Sequence, residues 1–175
     1  MDARDRLAAE ADLKRKTQDV SIEIHPTAIV EDGAELGEGV SIGAFAYIGG
    51  KVKLGDNCHI HQRATVTGQT DIGADVEIFP GAVIGTAPQI LNFKDDGTSR
   101  LTIGEGTVIR EHVTVHGGSP AHGGLTSVGS HCLLMVGVHI AHDCHVGDKC
   151  VFANNVALGG HIVIADQVWM GGLAA

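Results

Sequence analysis

The sequence has 175 residues, which suits one domain, and a formal net charge of −9 from 12 basic and 21 acidic residues. That charge argues against a nucleic-acid partner, because a phosphate backbone is bound by clustered Lys and Arg. Glycine is frequent, at 25 residues, and aromatic residues make up only 3%. This composition favours short strands joined by tight corners over a core filled with aromatic rings.

The N-terminal segment, residues 1–20, lies outside the pattern that fills the rest of the chain. Its apolar residues with interspersed charges predict an extension that is either a short helix or disordered. It lacks the apolar stretch of a secretory signal. No apolar run in the chain approaches the roughly 20 residues that cross a bilayer. We therefore expect a cytoplasmic protein with no membrane span.

From Ile24 onward, an apolar residue recurs every six positions. The register breaks at residues 85–101 and 116–127 and resumes after each break. The recurring residues are Ile24, Val30, Leu36, Ile42, Ile48, Leu54, Ile60, Val66, Ile72, Ile78, Ile84, Ile103, Ile109, Val115, Val128, Leu134, Ile140, Val146, Phe152, Leu158, Ile164 and Met170. Such a period is typical of a solenoid, in which each repeat buries its apolar face against its neighbours.

A second, usually smaller residue stands two positions before each apolar one, so both side chains lie on one face of a strand. A short strand and a Gly-rich corner, repeated every six residues, predict a triangular parallel β-helix over residues 21–175 with roughly 18 residues per coil. The four cysteines fall at the small inward position. That position favours buried core thiols over metal ligands or disulfides. They are Cys58, Cys132, Cys144 and Cys150.

The two register breaks predict loops at corners of the solenoid, where insertions often mark the binding face. The first break carries polar residues, including Gln89 and Asn92. The second contains His116 and His122 among glycines. We expect any ligand to lie beside these loops.

Four histidines lie within "LLMVGVHIAHDCHVGDKCVFANNVALGGHIVIAD", at residues 133–166. Counting by coils places His142 on the outside between Gly117 and Gly160. An imidazole there has room for a substrate and is a natural general base, and a glycine N–H can stabilise an oxyanion. Asp143 could orient the ring, although strict alternation would point it away unless the corner relaxes it. The alternative is a set of surface histidines without a role, which is how we interpret His145.

The segments "IREHVTVH", "HIAHDC", "ANNVALGGH" and "GGLAA" carry a resemblance to a known family. With the hexads, they resemble the acyl-[acyl-carrier-protein]–UDP-N-acetylglucosamine O-acyltransferases of lipid A biosynthesis, in the hexapeptide-repeat acyltransferase superfamily. The resemblance covers about residues 22–175. It implies a left-handed helix, a homotrimer, and transfer of a 3-hydroxyacyl chain from acyl carrier protein to the 3-hydroxyl of UDP-N-acetylglucosamine. No cofactor or metal is implied, since the thioester supplies the activation.

The resemblance also implies roles for individual residues. His142 would be the general base and Asp143 its partner, while Gly160 would donate its N–H to the oxyanion. His139, His161 and His116 would lie in the substrate site, together with Gln89 and Asn92 of the first loop.

The chain departs from the family at several positions. Ile90 and Asn92 stand where the family has an Asp and a Lys, and Gly117 stands where it usually has Arg. The chain stops at "GGLAA", inside a coil, as expected of a sequence that ends before the family's remaining coils and C-terminal helical domain. These departures keep open a transferase that acts on another nucleotide amino-sugar. The histidine cluster keeps open a zinc enzyme like the gamma-class carbonic anhydrases, and an inactive assembly module is the remaining alternative.

Overall fold

The computed structural model describes residues 21–175, so the predicted N-terminal extension, residues 1–20, lies outside the described residues. The described chain forms a left-handed parallel β-helix with three faces, each a parallel sheet of short strands. This confirms the predicted all-β solenoid. Within these residues, no helix is long and apolar enough to cross a bilayer.

The first face contains eight strands, and each pairs in parallel with the strand one coil away. In the regular coils the partners are 18 residues apart, as in the pair Glu23 and Ser41. The strands of this face are β1 (Glu23–Ile24), β4 (Ser41–Ile42), β7 (His59–Ile60), β10 (Glu77–Ile78), β13 (Val108–Ile109), β16 (Leu133–Leu134), β19 (Val151–Phe152) and β22 (Trp169–Met170).

The other two faces contain seven strands each. The second face consists of β2 (Ile29–Val30), β5 (Tyr47–Ile48), β8 (Thr65–Val66), β11 (Val83–Thr86), β14 (Thr114–His116), β17 (His139–Ile140) and β20 (Ala157–Leu158). The third face consists of β3 (Glu35–Leu36), β6 (Val52–Leu54), β9 (Gln69–Ile72), β12 (Arg100–Ile103), β15 (Leu125–Val128), β18 (His145–Val146) and β21 (Val163–Ile164).

The interior is a column of the predicted hexad residues, of which Ile48, Ile60, Ile78 and Phe152 are fully buried. Burying each such side chain contributes about 1.5–3 kcal/mol. At the two ends of the described chain the same positions are less covered, so Ile24 is exposed and Met170 is only half-buried. Stacking of coils, and not the individual strand, therefore provides the burial.

The cysteines occupy the inner corners as predicted. All four are buried and unpaired. Each thiol donates a hydrogen bond to a backbone carbonyl 15 residues ahead, as Cys144 does to Gly159 at 3.0 Å. Burial raises the pKa of Cys58 and of Cys132 to about 11, so both remain protonated thiols near neutral pH.

The two loops contain fewer residues than the register breaks at residues 85–101 and 116–127 predicted. β11 continues to Thr86 and β12 begins at Arg100, so the first connection comprises only residues 87–99. The second connection, residues 117–124, contains a single 3-10 turn at Pro120–His122. It leaves the helix next to the corner between β17 and β18, which carries His142.

Candidate active site

The corner that joins β17 to β18 brings His142 and Asp143 into direct contact. Asp143 adopts a left-handed backbone conformation with φ of 59°. Asp, Asn and His tolerate that conformation better than most residues. The left-handed residue breaks the alternation of the strands, and Oδ2 of Asp143 lies 2.7 Å from Nδ1 of His142. This geometry agrees with the expectation that a corner could free Asp143 from the strict alternation of strand side chains and let it reach His142.

The second loop holds the Asp143 carboxylate in place. Ser119 donates twice to it, from its backbone N–H to Oδ1 at 2.7 Å and from its hydroxyl to Oδ2 at 2.6 Å. The backbone N–H of Asp143 donates to the Thr126 hydroxyl at 2.8 Å. The Asp143 side chain is only 4% exposed. The carboxylate is thus buried, fully hydrogen-bonded and fixed in orientation.

Two opposing effects set the pKa of Asp143. Burial would raise it, but the hydrogen bonds from Ser119 and His142 outweigh burial and hold the pKa below its ordinary value. Asp143 is therefore a carboxylate at neutral pH and an acceptor for the Nδ1 proton of His142. With that proton on Nδ1, the lone pair of His142 is on Nε2. Within residues 21–175, Nε2 of His142 has no hydrogen-bond partner.

Gly160 covers the His142 ring from the next coil, as the coil count predicted. A Cβ atom at Gly160 would lie 2.5 Å from Cε1 and 2.8 Å from Nε2 of His142, so only glycine fits beside the ring in this position. The N–H of Gly160 donates no hydrogen bond within the described residues, which leaves it available to a ligand. Gly160 thus combines close contact with the His142 ring and an N–H without a partner in residues 21–175.

The glycine predicted on the other side of His142 does not lie there. A Cβ atom at Gly117 would meet Ser99 and Arg100, and the Gly117 N–H donates to the Thr86 carbonyl at 2.9 Å. The count from Val115 fails because the ladder between β14 and β17 ends at Val115 and Ile140, and the chain leaves the helix after His116. Ser119, further along the loop, approaches the His142–Asp143 pair instead.

Two further imidazoles surround this pair. The His161 ring lies 5.0 Å from the His142 ring, edge to face, and its Nδ1 is 3.8 Å from Oδ2 of Asp143. The His122 ring lies 4.4 Å from the His161 ring. His122 also contacts the Ser119 hydroxyl through Nδ1 at 3.1 Å. One ligand atom from each of His122, Asp143 and His161 lies within 4.8 Å of the others, a grouping that could hold a metal ion.

His139 and His116 form a separate pair on the second face, with ring centroids 5.3 Å apart. Nδ1 of His139 contacts the Thr114 hydroxyl at 2.8 Å, and Nδ1 of His116 donates to the Ala87 carbonyl at 2.8 Å. Burial, with a smaller effect from His116, lowers the pKa of His139, so its neutral form is favoured. In residues 21–175, no hydrogen bond or ring contact joins this pair to His142.

The two residues proposed from the first loop are not brought to the histidines. Gln89 and Asn92 are exposed, and no hydrogen bond or ring contact links them to His142 within the described chain. Beneath this loop is a small cavity of about 90 Å³, lined in part by Gly85, Phe93 and Ser99. It is too small for a sugar nucleotide, since ligand sites span about 300–1,000 Å³.

Two larger clefts lie away from His142. One, of about 520 Å³, is lined by residues of β1, β4 and β7, and the other, of about 530 Å³, by residues of β3, β6 and β9. Neither contains a carboxylate-bound imidazole like His142. We therefore place the candidate site at the His142 corner because of its functional groups, although larger clefts lie elsewhere.

Sequence reasoning missed Ser119 and left His122 without a role. A Ser followed by Pro is a typical start of a helical turn, and Ser119 is the N-cap of the Pro120–His122 turn. That signal could have placed the turn. It could not have shown that the same serine binds a carboxylate 24 residues away.

Together these groups can carry out base-catalysed acyl transfer. An imidazole held by a buried carboxylate can accept a proton from a hydroxyl, and an N–H beside it can stabilise an oxyanion. The arrangement follows the pattern of a base oriented by a third group.

The comparisons with known proteins agree with this fold. The family model "Bacterial transferase hexapeptide (six repeats)" matches residues 33–68 and 126–160, the second of which contains His142. The fold and this match are those of the hexapeptide-repeat transferases, the class of protein that this chain resembles.

Within that class, the similarity is to UDP-N-acetylglucosamine acyltransferases. LpxA from Acinetobacter baumannii is 44% identical over 85% of this chain, with a TM-score of 0.83. UDP-N-acetylglucosamine O-acyltransferase (LpxA) from Moraxella catarrhalis is 39% identical over 86%, with a TM-score of 0.84. A third structure, a UDP-N-acetylglucosamine acyltransferase, is 45% identical over 86%, with a TM-score of 0.84. The chain spans 57–58% of the length of these relatives.

Proposed function

We propose that this chain carries the catalytic corner of an enzyme that transfers a 3-hydroxyacyl group from acyl carrier protein to the 3-hydroxyl of UDP-N-acetylglucosamine. The observation that carries the proposal is the 2.7 Å contact between His142 and the anchored carboxylate of Asp143, with Nε2 of His142 left free. The identity to UDP-N-acetylglucosamine acyltransferases supports the choice of acceptor. The reaction is the first step of lipid A synthesis, in the cytoplasm.

In this proposal, Nε2 of His142 removes the proton as the sugar hydroxyl attacks the thioester carbonyl. The carbonyl oxygen becomes an oxyanion, and the free N–H of Gly160 donates to it. Collapse of the intermediate breaks the C–S bond, and the imidazolium returns its proton to the leaving thiolate. The products are the ester and the free thiol of the carrier protein. Asp143 holds the ring and balances its charge during the step.

We assign substrate contacts to the imidazoles around this corner. His161 is half-exposed beside the His142 ring, and the neutral imidazole of His139 can donate to or accept from a sugar hydroxyl. His116 supports His139 from the strand below. Gln89 and Asn92 are exposed on the first loop and would reach the acceptor only from its outer side.

We propose a homotrimer, because a single chain does not enclose the site. The His161 side chain is 48% exposed. A second copy packed along the histidine-bearing corner would supply the missing wall. Sedimentation velocity measures the assembly directly, and a monomer that transfers acyl groups at full rate would contradict this part of the proposal.

The test is acyl transfer with a panel of donors and acceptors. The donors are 3-hydroxyacyl carrier proteins and acetyl-CoA, and the acceptors are UDP-N-acetylglucosamine and its 3-amino analogue. The chain is assayed alone and joined to the remaining residues of the Acinetobacter relative. We expect His142→Ala to lower kcat by about 10²–10⁴-fold, the usual contribution of a general base.

The matched control is His61→Ala, which removes an imidazole that also lies 2.8 Å from a carboxylate but in another corner. We expect it to retain full activity. Equal loss in both variants would refute the assignment of His142 as the base. Preference for acetyl-CoA or for the amino analogue would favour the alternative transferase, which the replacements at Ile90 and Gly117 motivate.

A further inference from the structure

Two imidazoles and a carboxylate converge beside the proposed catalytic pair. Nδ1 of His161 is 3.8 Å from Oδ2 of Asp143, and a ligand atom of His122 completes a group within 4.8 Å. In a tetrahedral site with N and O ligands at about 2.0–2.2 Å, neighbouring ligand atoms are about 3.4 Å apart. Asp143 is fixed by Ser119, whereas both imidazoles are exposed and can rotate. Small rotations of these two rings would therefore bring the three ligand atoms to about 3.4 Å from one another, the spacing of a tetrahedral site.

The backbone holds the three residues near one another. Asp143 and His161 are left-handed corner residues of consecutive coils, with φ of 59° and 66°. The N–H of His161 donates to the His142 carbonyl at 3.1 Å, which fixes the spacing of the two corners. His122 ends the 3-10 turn that Ser119 caps. Ligands therefore come from two stacked corners and one short turn.

The donor set selects the class of ion. Two imidazoles and one carboxylate suit Zn²⁺ and its transition-metal neighbours, whereas Mg²⁺ and Ca²⁺ prefer oxygen ligands alone. Three protein ligands leave a fourth position for water. We propose that His122, Asp143 and His161 form a binding site for a zinc-class divalent ion, and that the bound ion inhibits acyl transfer.

Inhibition follows from the oxygen that the ion would take. Oδ2 of Asp143 is the oxygen nearest His161, and it also accepts from Nδ1 of His142 at 2.7 Å. An ion on Oδ2 competes with that proton, so His142 loses the group that orients it. The inhibition rests on the proposed function, whereas the binding does not.

Binding is tested on the whole chain after treatment with a chelator and dialysis. Zinc sulfate is titrated by calorimetry, and cobalt(II) by its visible absorption, which reports tetrahedral coordination. We expect one ion per chain and an affinity at least tenfold weaker in His122→Asn. Because the chain has 11 histidines, the control is His145→Asn, which removes an exposed imidazole bonded to Ser127 and should leave the affinity unchanged.

An unchanged zinc isotherm in His122→Asn, or no saturable binding in the parent chain, would overturn the site. A second readout compares acyl transfer in saturating zinc with transfer in chelator. We expect at least tenfold inhibition of the parent and little inhibition of His122→Asn at the same zinc concentration. Equal rates with and without bound zinc would refute the inhibition. Zinc binding without any transfer in chelator, by the chain alone or joined to the relative's remaining residues, would support the site and refute the proposed function.

Discussion

Residues 21–175 contain two histidine–carboxylate hydrogen bonds of nearly equal length, and they are built very differently. His142 lies 2.7 Å from Asp143, and His61 lies 2.8 Å from Glu77. The Asp143 side chain is 4% exposed, whereas that of Glu77 is 40% exposed. Ser119 binds both oxygens of Asp143, while His61 is the one hydrogen-bond partner of the Glu77 side chain within residues 21–175.

The comparison shows that a short contact does not by itself make a catalytic base. An exposed pair in high dielectric contributes little. The His61 ring packs at a tilt against the rings of His59 and Phe79, with centroids 4.3 and 4.6 Å away, so it is a packed surface group. The buried pair has one orientation, fixed by a third residue. Substitutions that weaken this fixation should affect His142 and leave the His61 pair unaffected.

The largest expected effect is that of Asp143→Asn. Asn tolerates the left-handed backbone, so the corner should keep its shape. The amide can donate to Nδ1 of His142, which moves the ring proton to Nε2 and removes the base. We expect kcat to fall by about 10²–10⁴-fold. Glu77→Gln is the matched control and should retain the parent rate; similar losses in both variants would remove the distinction between the pairs.

The next effect is that of Gly160→Ala. The backbone of Gly160 is not in the left-handed region, so alanine is acceptable there except for its contact at 2.5 Å with the His142 ring. The ring must shift by about 1 Å, which costs on the order of 10- to 100-fold in rate. The control is Gly159→Ala, where a Cβ atom would meet open space. Rate constants of both variants, with thermal midpoints, separate displacement of the ring from loss of stability; an unchanged rate in Gly160→Ala contradicts the placement of His142.

The solenoid was predictable because its chemistry is local and repeated. One apolar residue in six must enter a narrow interior, and the buried residues Ile60, Ile78 and Ile140 follow that period. The inward cysteines follow from the same count. The pair formed by His142 with Gly160 was also predictable, since both belong to regular coils 18 residues apart.

The anchor of the pair was not predictable, because it depends on a loop. Counting past Val115 assumes that the ladder between β14 and β17 continues, but it ends at Val115 and Ile140, and the chain leaves the helix after His116. A glycine beside a histidine is not a sufficient signal either. His112 and His131 lie against Gly81 and Gly106 in the same way. What distinguishes His142 is the carboxylate next to it, and the left-handed Asp143 that makes this contact is visible only in three dimensions.

The smallest expected effect is that of Ser119→Ala, which tests whether the anchor matters for both stability and rate. The variant loses the hydroxyl donor to Oδ2 but keeps the backbone N–H bond to Oδ1. A hydrogen bond to a charged group contributes about 1.5–3 kcal/mol, and the remaining N–H bond should keep the loss near the lower value. We expect a matching drop in the free energy of unfolding from urea denaturation and a fall in kcat of less than about tenfold, because His142 still donates to Asp143. The control is Ser127→Ala, whose hydroxyl contacts exposed His145 at 2.9 Å and should contribute far less. If both serine variants lose the same stability, burial of the carboxylate is not what separates the His142 pair from the His61 pair.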